Sequence, residues 1–266
     1  MRTLTAALAF SALITAPAFA QQDRDAIARR LSNPIADLIS VPLQLNADFG
    51  AASDGDGSLY TLNVQPVIPF RLNERWNLIS RTVLPLAVRD NVYPGESNVS
   101  GVGDTVQSLF FSPTEPGPGG LIWGIGPVFL LPTASDDRLG SGKWGAGPTL
   151  VALTQRGHWT TGVLANHIWS FAGDDGRPDV SASFVQPFAA YALGRGRTIS
   201  AGVEATYDWN AEQWTAPASL SFSQIIPIGR QLISVSVGAR YFIDAPPNGP
   251  EWGLRATLTF LFPRHR

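Results

Sequence analysis

The stretch from Thr198 to Phe222 reads TISAGVEATYDWNAEQWTAPASLSF, and its alternation decides the fold. Ile199, Ala201, Val203, Ala205, Tyr207 and Trp209 share one face of an extended chain. Thr198, Ser200, Gly202, Glu204, Thr206 and Asp208 share the other. After a polar turn, Asn210 to Gln213, the alternation resumes. Trp214, Ala216, Ala218, Leu220 and Phe222 take one side, and Thr215, Ser219, Ser221 and Ser223 the opposite one. Successive side chains of a strand point to opposite faces. Such alternation over about ten residues per strand, with an apolar face ending in Trp, is the pattern of a membrane-spanning β-hairpin. A helix would need about 20 consecutive apolar residues instead.

The same pattern recurs along the chain, in about twelve strand-like segments. Leu38 to Phe49 and Tyr60 to Phe70 alternate cleanly. Trp76 to Val88 is noisier and carries Arg81 among apolar neighbours, and Val102 to Ser112 is the weakest. Leu121 to Leu131, Trp144 to Thr154, Trp159 to Phe171, Val180 to Leu193, Leu232 to Ile243 and Trp252 to Phe262 complete the set with the opening hairpin. Prolines at 42, 66, 85, 127, 148, 187 and 217 predict bulges or ladder breaks, because proline cannot donate to a ladder. Short turns such as Arg71 to Glu74 and Gly194 to Arg197 alternate with longer polar loops such as Pro132 to Lys143 and Asp244 to Glu251. Ser112 to Gly120 is a long exception at the turn end. The expectation is an all-β, antiparallel, up-and-down transmembrane barrel over residues 37–266, with short turns and both termini in the periplasm.

Composition agrees. Charged residues are 15% of the 266, against a usual level of about 25%. A net charge of −2 gives no reason to expect a nucleic-acid partner. There is no cysteine, so no disulfide framework is available. Residues 1–20 read as a cleavable signal peptide: Arg2, an apolar run from Leu4 to Ile14, then Ala18-Phe19-Ala20 as the cleavage site. Residues 21–36 form an N-terminal periplasmic segment, in which Asp23 to Leu31 has the makings of a short amphipathic helix. It reads as a mobile lead-in or as a plug under the barrel.

The eight tryptophans fall at strand ends. Trp144, Trp169, Trp209, Trp214 and Trp252 lie toward the long loops, and Trp76, Trp123 and Trp159 toward the turns. That is the distribution of two interfacial girdles facing outer-membrane lipid. Chemistry is expected inside. Glu204, Asp208, Arg240 and Arg255 face the lumen, and a symmetric loop between Ile243 and Trp252 would set Arg240 opposite Arg255. Like charges facing each other are unfavourable, so carboxylates are expected beside them. Asp48, Arg81, Glu204, Asp208, Arg240 and Arg255 therefore form a candidate charge cluster near the outer mouth. It is read either as a register-holding network or as a solute-selecting constriction.

Catalytic readings fare poorly. His167 sits near Asn166 and Ser170, but Ser170 points to the opposite face. No G-x-S-x-G elbow occurs, and Gly140-Ser141-Gly142-Lys143 lacks the spacing of a phosphate loop. The pairs Asp136-Asp137 and Asp174-Asp175 are ordinary outer-loop carboxylates, with weak divalent-cation binding as the alternative. No cofactor, metal or enzymatic activity is expected.

Longer stretches carry a family likeness: LISVPLQLN, YTLNVQPVIPFRLNERWNLISRTVLPL, GVGDTVQSLFFSP, GGLIWGIGPVFLLPTASDDRLGSGKWGAGPTLV and GARYFIDAPPNGPEWGLRATLTFLFP. Together they resemble the MetA-pathway of phenol degradation family of bacterial outer-membrane transporters. The resemblance implies a barrel that passes small, in part aromatic, solutes, with outer-loop stretches such as Ser135 to Gly147 as places of solute contact. The last strand, with Trp252, Leu254, Ala256, Leu258, Phe260 and Phe262 in phase, resembles the C-terminal signal of outer-membrane barrels and implies the barrel-assembly machinery as a partner. The alternatives are a lipid-modifying enzyme built on the barrel and a structural or adhesive barrel.

Overall fold

The structure, a computed structural model, describes residues 18–93, 95, 97–229 and 231–262. Of the signal segment expected over residues 1–20, residues 1–17 lie outside the described residues, and Ala18-Phe19-Ala20 begin the helix that follows. One helix, α1 (Ala18–Leu31), precedes a single antiparallel sheet closed on itself. Its twelve strands are β1 (Ile39–Ala51), β2 (Gly57–Val64 continued by Val67–Arg71), β3 (Trp76–Asp90) and β4 (Val99–Val102 continued by Thr105–Pro113). Then come β5 (Leu121–Leu131), β6 (Lys143–Arg156), β7 (Trp159–Gly173) and β8 (Ser181–Gly194). The last four are β9 (Arg197–Val203 continued by Ala205–Asp208), β10 (Gln213–Thr215 continued by Pro217–Ile228), β11 (Gln231–Phe242) and β12 (Trp252–Phe262). β1 pairs with β12 from Ile39↔Phe262 to Phe49↔Trp252, which closes the barrel and leaves no free edge.

The outside is apolar. Leu220, Val237, Leu254, Ile125 and Leu150 are exposed large hydrophobics. A soluble barrel would bury these faces; a belt of them marks a lipid-facing surface. All eight tryptophans sit on this outer face. At the loop end, Tyr207 packs between Trp209 and Trp214 at 4.9 and 4.8 Å, and Phe49 meets Trp252 at 4.8 Å. At the turn end, Trp76 meets Trp123 edge to face at 5.8 Å.

Ladder breaks follow only part of the proline pattern. Pro66 and Pro217 stand at splits in β2 and β10, but β4 breaks at Gly103-Asp104 and β9 at Glu204. Between β6 and β7 the pairing skips from Ala146↔Trp169 to Thr149↔Asn166, across Gly147-Pro148. The remaining prolines stay inside strands, where their carbonyls still accept, as Pro42 does from the Gln65 N–H at 2.9 Å.

The N-terminal segment is a plug. Ala28 of α1 packs with Ala36, Leu38, Ile225 and Leu261, all buried. Ile35 crosses to a second buried cluster with Ile79, Phe110, Val151, Leu153 and Leu164. The turn between helix and strand is fixed locally: Asn33 Oδ1 accepts the Ile35 N–H at 3.0 Å. Two ties fasten the helix to the turn end of the barrel. Gln155 Nε2 donates to the Arg29 carbonyl at 2.8 Å, and the Gly196 N–H donates to Asp25 Oδ1 at 2.5 Å.

Candidate functional site

Inward positions on β9–β12 and β1 are small or polar: Thr198, Ser200, Ser221, Ser223, Ser234, Thr257, Thr259 and Ser40. Near the loop end of this wall four charged side chains meet. Arg240 Nη1 donates to both Asp48 oxygens, at 2.7 and 2.6 Å. Arg255 sends Nη1 and Nη2 across the lumen to Glu204 Oε1 and Oε2, at 2.9 and 2.8 Å, a bidentate pair. Its Nε donates to Asn46 Oδ1 at 2.7 Å. Arg240 Nη2 also lies 3.7 Å from Glu204 Oε2, so the two pairs are one network.

The register differs from the symmetric-loop expectation. Arg240 faces Gly253, and Arg255 faces Gly238, a shift of two residues. Its cause is the loop after β11. The Phe242 N–H donates to the Glu251 carbonyl and the Ile243 N–H to the Ala216 carbonyl, which draws Ile243 off β12 and onto the neighbouring β10. A shift of two keeps every side chain on its face, so both arginines remain inside. Gly253, paired with Arg240 on one side and Asp48 on the other, leaves the gap that lets those side chains meet. A Cβ there would run into Asp48 Oδ1.

Asp208 does not join the cluster. It has the lumen phase, but it ends β9 at an exposed hairpin turn. There its Oδ1 accepts the N–H groups of Asn210 and Ala211 at 2.8 and 3.1 Å. Arg81 lies inside, deeper than the network. Its Nη2 donates to Gln65 Oε1 at 3.0 Å, and it pairs with no carboxylate. A further inward guanidinium, Arg89, escaped the sequence reading. It donates to Thr61 Oγ1 at 3.2 Å and to the Tyr60 carbonyl. Its odd-numbered phase with Arg81 was the signal that places it inside.

The opposite wall is not the uniformly polar lumen that the alternation implied. Phe110, Val128, Val151, Leu153 and Leu164 of β4–β7 point inward and are buried, and Phe184 and Phe188 of β8 pack against them. Two cavities remain. One, about 390 Å³, lies under the charge network between Arg81, Glu204 and Gln186 and the apolar Val83, Val106, Ile168 and Phe184. The other, about 270 Å³, runs beside the plug along Thr198, Ser200, Ser223, Ser234, Thr257 and Thr259. Gln44, Gln65 and Arg81 line both, so they stand at the boundary between them.

The loops at the far end are tied down. In the 132–142 loop, Asp104 Oδ2 accepts from Ser141 Oγ at 2.7 Å, and Arg138 grips Asp136 through Nε and Nη2 at 3.0 Å each. That grip holds the exposed Asp136 carboxyl down to about 2. Arg177 of the next loop donates to the Asp137 and Gly140 carbonyls. The Asp179 carboxyl is also lowered, first by its hydrogen bond from Lys143 at 3.0 Å and then by Ser170. Among the described residues no group of three or more His, Asp or Glu is arranged to hold a metal ion.

His167 faces outward. Its Nδ1 lies 2.7 Å from Ser183 Oγ, which also accepts from Trp209 Nε1 at 2.9 Å, and its ring lies tilted against Trp169 with centroids 4.0 Å apart. Ser170 instead donates to Asp179 at 3.2 Å.

No family model matches the chain, and no curated protein matches it. Among solved structures, the COG4313 outer membrane channel from Pseudomonas putida F1 superposes with a TM-score of 0.66 at 15% identity, covering 85% of this chain and 96% of that one. That likeness shows the fold to be one of the outer-membrane barrels. Outer membrane phospholipase A from Escherichia coli gives a TM-score of 0.49 at 14% identity, covering 90% of this chain and 98% of that one. The KdgM porin gives 0.43 at 12%, covering 85% and 99%.

Proposed function

We propose that this chain is an outer-membrane channel for the passive uptake of small solutes with an apolar or aromatic body. In this reading the signal peptide over residues 1–20 exports it, and the C-terminal strand presents it to the barrel-assembly machinery. The turn end and the plug then face the periplasm. The observation that carries the reading is the pair of cavities that adjoin at Gln44, Gln65 and Arg81. They lie one after the other from beneath the charge network to the side of the plug, inside a barrel whose outer belt matches lipid. The sequence resemblance to the phenol-degradation transporter family and the fold shared with the COG4313 channel both support it.

The proposal contains no catalytic step. A serine nucleophile needs a base whose other nitrogen is held by a third group. The His167 Nε2 has no such partner among the described residues, and Ser183 Oγ is occupied by Trp209. Lipid hydrolysis is expected to stay at background in both the parent chain and Ser183→Ala. Loss of a measurable hydrolase activity in that variant would establish the enzyme reading instead.

Planar bilayers test the channel. The mature chain is expected to give small, steady conductance steps, and removal of residues 21–31 is expected to enlarge them several-fold by unplugging the turn end. If neither form passes ions or swells liposomes with any small solute, the barrel is a structural or adhesive one.

A further inference from the structure

Arg81 stands out from the other inward cations. Arg240 and Arg255 are matched by Asp48 and Glu204. Arg89 is spent on a threonine hydroxyl and on backbone carbonyls. Arg81 has only the side-chain amide of Gln65. A guanidinium carries five N–H donors, so most of its donors have no protein partner. The Glu204 carboxylate that lines the same cavity is engaged on both oxygens by Arg255. The inner wall around the upper cavity thus sets four guanidiniums against two carboxylates, and Arg81 touches neither carboxylate. Arg81 feels the Glu204 carboxylate only through space, with no direct contact. A buried cation held so loosely is costly, and an anionic ligand in contact with it would relieve that cost.

The rest of the cavity says what kind of anion. Gln65, hydrogen-bonded to Arg81, and Gln44 line its polar end, while Val83, Val106, Ile168 and Phe184 form an apolar surface facing the same space. A polar end with a few convergent groups and an apolar remainder is the usual make-up of a small-molecule site, and about 390 Å³ is within its usual size of roughly 300–1,000 Å³. We propose that this cavity binds a small monocarboxylate with a compact apolar body. The carboxylate is held by Arg81, and the body lies against Phe184, Ile168, Val83 and Val106. The planar guanidinium matches a carboxylate bidentately, which lysine does not. Because Arg81 also lines the lower cavity, a bound solute sits at the boundary between the two. This site rests on the channel reading for its role in passage, but its binding chemistry stands apart from it.

The test uses the full mature chain in detergent, titrated calorimetrically with benzoate, with its neutral counterpart benzyl alcohol, and with the benzylammonium cation. Benzoate is expected to bind at least tenfold more tightly than either. Arg81→Gln should remove that preference, and Arg81→Lys should restore it only in part. Should Arg81→Gln fail to fold, Gln65→Glu serves in its place. It keeps Arg81 but gives it an internal carboxylate, and it should abolish benzoate binding while leaving benzyl alcohol unaffected. Equal binding of benzoate and benzyl alcohol overturns the proposal, as does full benzoate affinity in Gln65→Glu. Bilayer recordings separate the two ideas. Conductance without benzoate preference leaves a channel without this site. Arg81-dependent benzoate binding with no flux of any solute leaves the site without a channel.

Discussion

The two halves of the lumen wall solve different problems with the same strand geometry. On β9–β12 and β1 the inward residues are mostly Ser, Thr, Gly and a few charges, with apolar Ile225 and Leu261 only where the plug packs. On β4–β8 large Phe, Val, Leu and Ile side chains dominate among buried Ser108, Thr149 and Thr160. Small side chains cannot reach across the barrel, so the serine and threonine wall leaves the space that the lower cavity occupies. The large apolar side chains opposite fill their half and hold Ile35 of the plug. One wall is a core and the other a passage. The charge network braces the passage wall at its loop end, away from the buried cluster around the plug: two arginines and two carboxylates tie β1, β9, β11 and β12 together.

The contrast predicts that equal truncations cost unequal amounts. Phe110→Ala, in a fully buried position, should lower stability to urea by about 3–5 kcal/mol. Ser234→Ala on the passage wall should stay within about 0.5–1 kcal/mol. Similar losses in both would mean that the halves are not distinct. The network should behave as a coupled unit. In a double-mutant cycle, Glu204→Gln and Arg255→Gln should show a coupling of roughly 1–3 kcal/mol, because either single change leaves a charge without its partner. Additive effects would mean that the pair is solvated rather than structural.

Much of this was legible in the sequence, and the losses have physical causes. Alternation assigned the inward face for Glu204, Arg240 and Arg255, because face depends only on strand phase. The partner of each depended on register, and register was set by backbone bonds in the loop after β11. Asp208 had the right phase and the wrong height: at a hairpin end a carboxylate finds unpaired backbone N–H groups nearer than any guanidinium. The apolar wall was hidden for a different reason. Phe110 and Leu164 have apolar neighbours on both faces, so alternation of hydrophobicity fades where lipid lies on one side and a dry core on the other. The plug was legible only as one of two readings of a short helix, since nothing in residues 21–36 says which wall it meets.

Gly253 sharpens the comparison at a single atom. On the passage wall it is the gap through which Arg240 reaches Asp48, and an added methyl would collide with that carboxylate. Gly253→Ala should cost about 1–3 kcal/mol, as overpacking does. It should also loosen the β1–β12 seam, read as faster hydrogen exchange there than elsewhere in the wall. Exchange that stays uniform would mean that Asp48 can swing aside and that the seam does not depend on this contact.

The smallest effect is expected above the apolar half, whose ion pairs lie outside the lumen. Arg138–Asp136 and Lys143–Asp179 pin the two outer loops. Both carboxyls are lowered in the folded state, Asp136 to about 2. A carboxylate with a depressed value stabilises the folded loop at every pH above its unfolded value of about 3.9. That contribution is lost as pH falls through the folded value, so for Asp136 the window runs from about 3.9 down to about 2. Pepsin, active across that window, should cut within residues 132–142 a few-fold faster at its lower edge than at its upper edge. Asp136→Asn, which has no charge to lose, should be cut at the faster rate at both. Cleavage independent of pH in the parent chain would show that the loop is held by its backbone bonds to Asp104 and Arg177, and that the ion pair above the apolar wall is incidental.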